Sequence, residues 1–233
     1  MLPLVDRPYL LWVGNWMKHK NLGLLLKSFS IVKYRVPHSL VLVTPKKEKP
    51  QTLPRQITEY LNNGRIVRFQ NLDDQKLINL YTFADLFVFS SLYEGFGLPP
   101  LEAIASRCPV VVSDIPVFRE VFGSTGQYFD PFSPDDLSRL LVRLLTDKNE
   151  RRSLYERQKI VLQWYDKEKN HVRIPGSVCG GFWKMKVLQI NKLYYPWVGG
   201  VEKVVPLIAE GLSNRIQMSV LVCQPRGLYM KKK

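Results

Sequence analysis

Short apolar segments alternate along the chain with longer amphipathic ones. The runs at 40–43 and 110–112 contain only Leu and Val, a pattern typical of strands buried on both faces. The pattern predicts strands at about 9–14, 39–44, 65–69, 85–90, 109–113 and 126–129. It predicts helices at about 20–35, 51–62, 73–83, 99–107, 115–122 and 134–146. This alternation indicates an α/β protein with a parallel sheet, right-handed crossovers and helices on both faces.

The last third of the chain has a different organisation. A charged helix is predicted over 148–170, and the Gly- and Pro-containing segment 171–184 is interpreted as a linker. A fresh strand follows at 185–191, then a helix to about Leu212 and a second strand at 216–223. We therefore expect a first domain over 1–170 and a partial βαβ unit over 185–233.

The segment 93–102 is the most informative part of the sequence. It joins a predicted buried strand to a helix through Gly95 and Gly97, and it carries Glu94 before the turn and Glu102 inside the helix. Glycine permits a positive φ and a close approach of backbone to ligand. Leu98 and two prolines then open the helix, which costs no intrahelical hydrogen bond.

Such a turn favours a phosphorylated ligand. The N–H groups of a first helical turn and the helix dipole attract anions such as a diphosphate. Glu102 would accept hydrogen bonds from a pair of ribose hydroxyls, and Glu94 would face whatever lies beyond the phosphates. Taken singly, Glu102 is equally explained as a helix-terminal charge and Glu94 as a solvated loop residue.

The pattern resembles the paired-glutamate motif of retaining glycosyltransferases of family 4 (group 1). Members of that family have the GT-B fold, in which two Rossmann-like domains face a cleft. The resemblance covers about residues 8–147 and implies that 1–170 is the C-terminal, nucleotide-sugar-binding domain. Further segments that agree in order and spacing are 11–15, 18–22, 84–91, 109–114 and 119–121 with Gly126.

The resemblance also implies roles for individual residues. Glu94 would lie at the transferred sugar as the catalytic residue, Lys20 would neutralise the diphosphate and Glu102 would bind ribose. The implied donor-binding residues are Gly14, Asn15, Lys20, Glu94, Gly95, Phe96, Gly97, Leu98 and Glu102.

Two positions depart from the family pattern. Asn15 stands where arginine is frequent, which removes a cation from the expected site. Arg107 stands where glycine is usual, and we expect it to crowd the end of its helix. A solvated surface lysine at a helix start remains the alternative for Lys20.

The segment 185–233 is similar to the start of the N-terminal domain of the same family, with Gly199 and Gly200 as its glycine loop. Met185 lies where an initiator methionine would. Two joined reading frames or a rearranged gene would explain this order, with a circular permutant or an ordinary C-terminal extension as alternatives. Because 233 residues are fewer than two GT-B halves need, we expect donor binding but poor transfer by this chain alone.

The activity implied is hexosyl transfer with retention from a UDP- or GDP-sugar to a sugar or lipid-linked acceptor, in polysaccharide or glycolipid assembly. The base, sugar, linkage and acceptor stay open. A sugar-nucleotide epimerase or phosphorylase is disfavoured because its histidine or cofactor-lysine motif is absent from the sequence. A non-catalytic nucleotide-sugar-binding remnant is the main alternative.

Charge and composition narrow the partners. The net charge is +14, and residues 167–233 contribute 12 basic against 3 acidic residues. This suits anionic sugar nucleotides or an anionic membrane surface, whereas no nucleic-acid motif is present. Three cysteines and three histidines show no disulfide or metal-ligand spacing, so we expect neither metal nor other cofactor. A cytoplasmic location is expected, with peripheral association at the inner membrane face as an open alternative.

Overall fold

The computed structural model of the protein describes residues 3–6, 8–45, 59 and 64–164, and the backbone of 186–191, 217–224 and 227–232. Contacts between Cα atoms divide the chain into two units, Met1–Asn170 and His171–Lys233. The first unit holds the candidate site. The linker predicted at 171–184 and the glycine loop of Gly199 and Gly200 lie outside the described residues.

The first unit is built on a six-stranded sheet in which every paired neighbour is parallel. The spatial order is β3-β2-β1-β4-β5-β6, so the chain moves outward from the centre in one direction and then returns to continue in the other. The strands are β1 Tyr9–Val13, β2 Ser39–Thr44, β3 Ile66–Gln70, β4 Leu86–Phe89, β5 Val110–Ser113 and β6 Tyr128–Phe129. The predicted parallel α/β sheet is therefore confirmed.

Both faces of the sheet are buried, as the unbroken apolar runs predict. Along β1, Leu10 and Trp12 pack into one core and Tyr9 and Leu11 into the other, and all four are at most 1% exposed. Successive side chains of a strand point to opposite faces. Both halves of the alternation must therefore be apolar for helices to cover both faces.

The described helices form two layers. The first core contains residues of α1, α5 and α6, and the second contains residues of α2, α3 and α4. The helices are α1 Leu22–Val32, α2 Asp74–Phe83, α3 Leu98–Ala105, α4 Pro116–Phe122, α5 Pro134–Thr146, α6 Lys148–Gln158 and α7 Val161–Trp164. Helix α5 begins as its sequence predicts, because the hydroxyl of Ser133 accepts from the N–H of Asp136.

Two helix predictions are wrong in detail. The segment from residue 20 begins with a 3-10 turn, Lys18–Lys20, and Asn21 adopts a left-handed conformation before α1. The helix predicted over 148–170 ends at Gln158, whose side-chain amide turns into the core and bonds to both the N–H and the C=O of Val110. The helix predicted over 51–62 lies outside the described residues apart from Glu59.

The second unit contains a small sheet of its own. Strands β7 Lys186–Asn191 and β8 Gln217–Gln224 pair in parallel, as a βαβ unit requires. A third strand, β9 Gly227–Lys232, pairs antiparallel with β8. The sequence analysis missed β9, because the lysines that end it read as a polar tail. The helix predicted between β7 and β8 lies outside the described residues.

Candidate functional site

The order of the strands fixes where a ligand would bind. The direction of chain progression reverses between β1 and β4, so the loops after these neighbouring strands diverge to opposite faces of the sheet and leave a crevice at its carboxyl edge. A cleft of about 380 Å³ lies at this edge. It is lined by residues from the ends of β1, β2 and β3, from the Lys18–Lys20 turn and from the start of α3, including Gly14, Asn15, Thr44, Asn71, Lys20 and Pro99.

Of the two glycines in the turn after β4, one has the predicted positive φ. Gly97 has φ +86° and precedes the first residue of α3. A Cβ added to Gly97 would lie 2.6 Å from Cε1 of Phe118. Gly95 lacks a positive φ and faces open space, so the prediction of a positive φ is wrong for Gly95. An added Cβ there would meet no atom of the protein within 4 Å.

The start of α3 offers fewer donors than an ordinary helix. Its first three residues are Leu98, Pro99 and Pro100, and proline has no N–H. Of these three residues only Leu98 has an N–H, and Gly97 immediately before it contributes another to the turn. A diphosphate held here would therefore need a cation beside the helix end.

Lys20 brings an ammonium group to this turn, where it is already paired. Its Nζ lies 2.5 Å from Oε1 of Glu94, and the two side chains are 15% and 14% exposed. The ammonium also lies 5.2 Å from the ring centroid of Phe89. The structure thus brings together two predicted site residues that are 74 positions apart in sequence.

The backbone around Lys20 is fixed to the end of β4. The hydroxyl of Ser90 donates to the carbonyl of Lys20 at 2.9 Å, and the N–H of Leu92 donates to the carbonyl of His19 at 2.7 Å. These two hydrogen bonds therefore hold the loop before α1 against the loop after β4. These bonds hold the backbone at Lys20, and its side chain pairs separately with Glu94.

Glu102 occupies a different part of the edge. It lies in the second turn of α3, not the first as the sequence analysis expected, because α3 begins at Leu98. Its side chain accepts a hydrogen bond from the hydroxyl of Tyr81 at 3.2 Å. Burial and the charge of Glu102 raise the pKa of Tyr81, so the hydroxyl stays protonated as a donor. The residue Glu102 is exposed, which leaves it accessible to a ligand.

Gly14 and Asn15, the two residues after β1, shape the backbone of this loop. A Cβ on Gly14 would approach the Trp12 ring to 2.9 Å, so this position requires glycine or a shift of Trp12. The side-chain oxygen of Asn15 accepts from the N–H of Met17 at 3.2 Å. Asn15 therefore shapes its own loop and supplies no charge in place of the arginine frequent in the family.

Among the cleft residues that the sequence analysis missed, two are polar. Thr44 ends β2, and its hydroxyl is buried without a hydrogen-bond partner. Asn71 follows β3 with φ +51°, and its N–H donates to the carbonyl of Thr44 at 3.1 Å. Both could have been found by asking which polar side chains end the predicted strands, since those ends share one edge of a parallel sheet.

The part of the chain that the structure describes contains neither a metal-ligand cluster nor a membrane-spanning helix. There, no three side chains of His, Cys, Asp or Glu converge as a metal site would require. No described helix is both long and apolar enough to cross a bilayer.

Relatives of known name share the first unit. The family profile described as glycosyl transferases group 1 matches residues 3–161. The O-antigen chain mannosyltransferase RfbU of Salmonella typhimurium is 32% identical over 123 residues, which are 53% of this chain and 34% of RfbU. The serotype-specific mannosyltransferase WbdA of Escherichia coli is 34% identical over 133 residues, covering 55% of this chain and 16% of WbdA.

Solved structures agree on the fold. The C-terminal domain of a glycosyl transferase group 1 family protein (LpcC) from Francisella tularensis superposes with a TM-score of 0.56 at 21% identity, over 67% of this chain and 85% of that domain. Sucrose-phosphate synthase from Thermosynechococcus elongatus gives a TM-score of 0.58 at 24% identity, over 68% of this chain and 41% of that one. At such identities the likeness establishes the fold alone.

The chain spans about a third or less of the length of the curated relatives described above. The family profile nevertheless covers well over half of this chain, including both glutamates, Lys20 and the glycine turn. The resemblance to hexosyltransferases of group 1 is thereby confirmed, whereas family 4 and retention stay predictions. The protein belongs to the group 1 glycosyltransferases.

Proposed function

We propose that the first unit is the donor half of a retaining glycosyltransferase of family 4, which holds a nucleotide sugar at the carboxyl edge of its sheet. The transferred hexose would enter a polysaccharide or glycolipid, with a sugar or a lipid-linked sugar as acceptor. The protein would work in the cytoplasm, where sugar nucleotides are available, with a lipid-linked acceptor drawing it to the inner membrane face. The donor would need no metal.

The observation that carries this proposal is the ion pair of Lys20 and Glu94 beside the Gly97 turn. A cation and a carboxylate meet beside a turn that presents the N–H groups of Gly97 and Leu98, at the edge where the direction of chain progression reverses. A nucleotide sugar presents a diphosphate for the cation and N–H groups, and sugar hydroxyls for the carboxylate. Few other ligand classes would use all three.

The proposed roles follow from charge. Lys20 and the N–H groups of Phe96, Gly97 and Leu98 stabilise the negative charge that develops on the departing diphosphate oxygen. Glu102 accepts hydrogen bonds from the ribose hydroxyls. Glu94 lies next to Lys20, so it reaches the sugar attached to the same diphosphate and acts as the catalytic residue.

Mannose is the hexose we favour. RfbU, WbdA and a third relative of 32% identity, O-antigen chain mannosyltransferase B of Escherichia coli, are all named mannosyltransferases. The names of RfbU and mannosyltransferase B also support a role in O-antigen assembly. The base of the donor is left to experiment, with GDP-mannose as the first candidate.

Calorimetric titration of the full chain with GDP, UDP and ADP, and with GDP-mannose and UDP-glucose, tests the proposal. We expect selective binding of one nucleotide, weakened about tenfold or more by Lys20→Met because a charge-assisted contact is lost. Lys27→Met is the matched control, since it removes the same charge from an exposed position on α1. Absence of binding to every nucleotide, or equal losses in both variants, would contradict the proposal.

A further inference from the structure

The cation that the donor needs is occupied before the donor arrives. Lys20 lines the cleft, but its ammonium is 2.5 Å from Glu94. Both side chains are only about 15% exposed, so water screens this pair much less than a surface pair. A diphosphate entering the cleft must therefore compete with Glu94 for Lys20.

We infer that Glu94 acts as an internal competitor of the diphosphate, and that it favours release of the nucleoside diphosphate product over the nucleotide-sugar substrate. This inference rests on the proposed function. It adds to the role of Glu94 at the sugar a second role in the unliganded and product-bound protein.

Glu94 weakens diphosphate binding in either of the two ways in which Lys20 can respond to the ligand. If the ammonium moves to the diphosphate, Glu94 loses its counter-ion in a shielded position, which is costly. If the ammonium uses its three N–H donors to contact both groups, two anions lie against one cation and repel each other. In both cases a bare nucleoside diphosphate binds less tightly than it would without the charge of Glu94.

A nucleotide sugar differs from the product in what it returns to Glu94. Its sugar hydroxyls offer the carboxylate hydrogen bonds that replace those lost from Lys20. After transfer these hydroxyls leave with the acceptor, and Glu94 then has no partner while Lys20 holds the diphosphate. Recapture of Lys20 by Glu94 then favours departure of the nucleoside diphosphate.

The fixed backbone makes such an exchange feasible. Ser90 and Leu92 hold the Lys18–Lys20 turn to the end of β4, so the exchange needs rotation of one side chain only. Phe89, at 5.2 Å from the ammonium, is a neutral neighbour in both positions and does not compete as an acceptor.

The test measures binding of inorganic pyrophosphate, GDP, UDP and GDP-mannose to the full chain and to Glu94→Gln by calorimetry. We expect whichever of GDP and UDP binds the wild-type chain to bind Glu94→Gln about tenfold more tightly. The affinity for pyrophosphate should rise as well. The nucleotide sugar should gain less or lose affinity. Glu156→Gln is the matched control, because Glu156 pairs with Lys159 in an exposed ion pair elsewhere.

The effect of Glu94→Gln in a second background, the Lys20→Met variant, separates exchange of Lys20 between two anions from simple repulsion of the diphosphate by Glu94. In Lys20→Met no cation is released, so we expect the gain from Glu94→Gln to be smaller there. An equal gain in both backgrounds would overturn the exchange. Circular dichroism verifies that each variant is folded, and Glu94→Ala replaces Glu94→Gln if the latter is not.

The outcomes distinguish this inference from the proposed function. Nucleotide binding that depends on Lys20 but is unchanged or weakened in Glu94→Gln would overturn the inference and leave the proposed function intact. If neither the wild-type chain nor Glu94→Gln binds any of the four ligands, both fall. Binding that appears only in Glu94→Gln would support the competition strongly.

Discussion

Gly97 lies so close to Phe118 that no side chain fits between them. A Cβ on Gly97 would be 2.6 Å from Cε1 of Phe118, at a residue whose φ is +86°. The turn that presents the N–H groups of α3 is therefore packed directly on α4. Its geometry depends on this contact as well as on the conformational freedom of glycine.

Replacement of Gly97 by alanine should damage both stability and binding. We expect Gly97→Ala to lower the free energy of unfolding by about 2 kcal/mol or more, from the left-handed backbone and the collision with Phe118. Nucleotide binding should be lost, since the N–H groups shift. Urea unfolding and calorimetry measure the two effects. Gly95→Ala is the control, because Gly95 faces open space, and equal damage in both variants would contradict the prediction.

The proposed contact of Glu102 with ribose is testable with a modified ligand. We expect the wild-type chain to bind the 2′-deoxy nucleotide about tenfold more weakly than the ribonucleotide, because a charge-assisted hydrogen bond is missing. In Glu102→Ala the two ligands should bind equally. Tyr81→Phe removes the hydroxyl that holds Glu102 and should have a smaller effect. Full discrimination retained in Glu102→Ala would exclude a ribose contact.

The end of α3 predicts a stabilising substitution. Arg107 has φ +66°, and the N–H groups of Arg107 and Cys108 donate to Ile104 and Ala103 in the arrangement that usually ends in glycine. We expect Arg107→Gly to raise the free energy of unfolding by about 1 kcal/mol, because the left-handed strain disappears. Thermal unfolding measures this. Arg107→Ala keeps the strain and should show no such gain, and a gain in Arg107→Ala would contradict the explanation.

Arg107 also shows what sequence could predict. The resemblance to the family predicted a conflict at Arg107, which is a left-handed backbone and not the expected crowding, since the side chain is exposed. The burial of both sheet faces and the turn at Gly97 follow from local pattern and backbone preference. The pairing of Lys20 with Glu94 could be expected only as proximity, since a parallel sheet brings strand ends together. That the two form an ion pair depends on side-chain directions set by the whole fold.

Other features depend on contacts distant in sequence and were not predictable. Gln158 is 1% exposed and pairs with both backbone groups of Val110, at the last residue of a helix that the sequence analysis extended to residue 170. The place of Thr44 at the cleft could be predicted from its position at a strand end, but the burial of its hydroxyl without a partner could not. In both cases a polar residue has its role only because a distant segment packs against it.

Asp85, immediately before β4, gives the fold a predictable acid sensitivity. Its carboxylate lies 3.3 Å from Nε2 of His38 and 3.0 Å from Nη2 of Arg151. Burial alone would raise the pKa of Asp85, but the contact with the His38 imidazole and the charge of Arg151 outweigh it and hold the pKa below its ordinary value. A lowered pKa in the folded state means that the ionised carboxylate stabilises the fold.

The sign of the pH effect follows. The contribution of Asp85 is present above the pKa of the unfolded chain and is lost as the pH falls through the lower pKa of the folded state. We expect Asp85→Asn to lower the free energy of unfolding by about 1 kcal/mol, after allowance for its partial exposure. This difference from wild type should be constant above about pH 5 and shrink in more acidic solution.

Guanidinium unfolding of the wild-type chain and Asp85→Asn between neutral pH and the acid limit of folding measures this difference. Glu120→Gln, at an exposed position on α4, makes the same change in net charge and should leave the pH dependence of stability unaltered. A stability difference between wild type and Asp85→Asn that persists undiminished into strong acid would mean that the ionised carboxylate does not stabilise the fold. In that case, the contact of Arg151 with Asp85 would stabilise through packing and neutral hydrogen bonds, which an asparagine and a protonated aspartate supply to different extents.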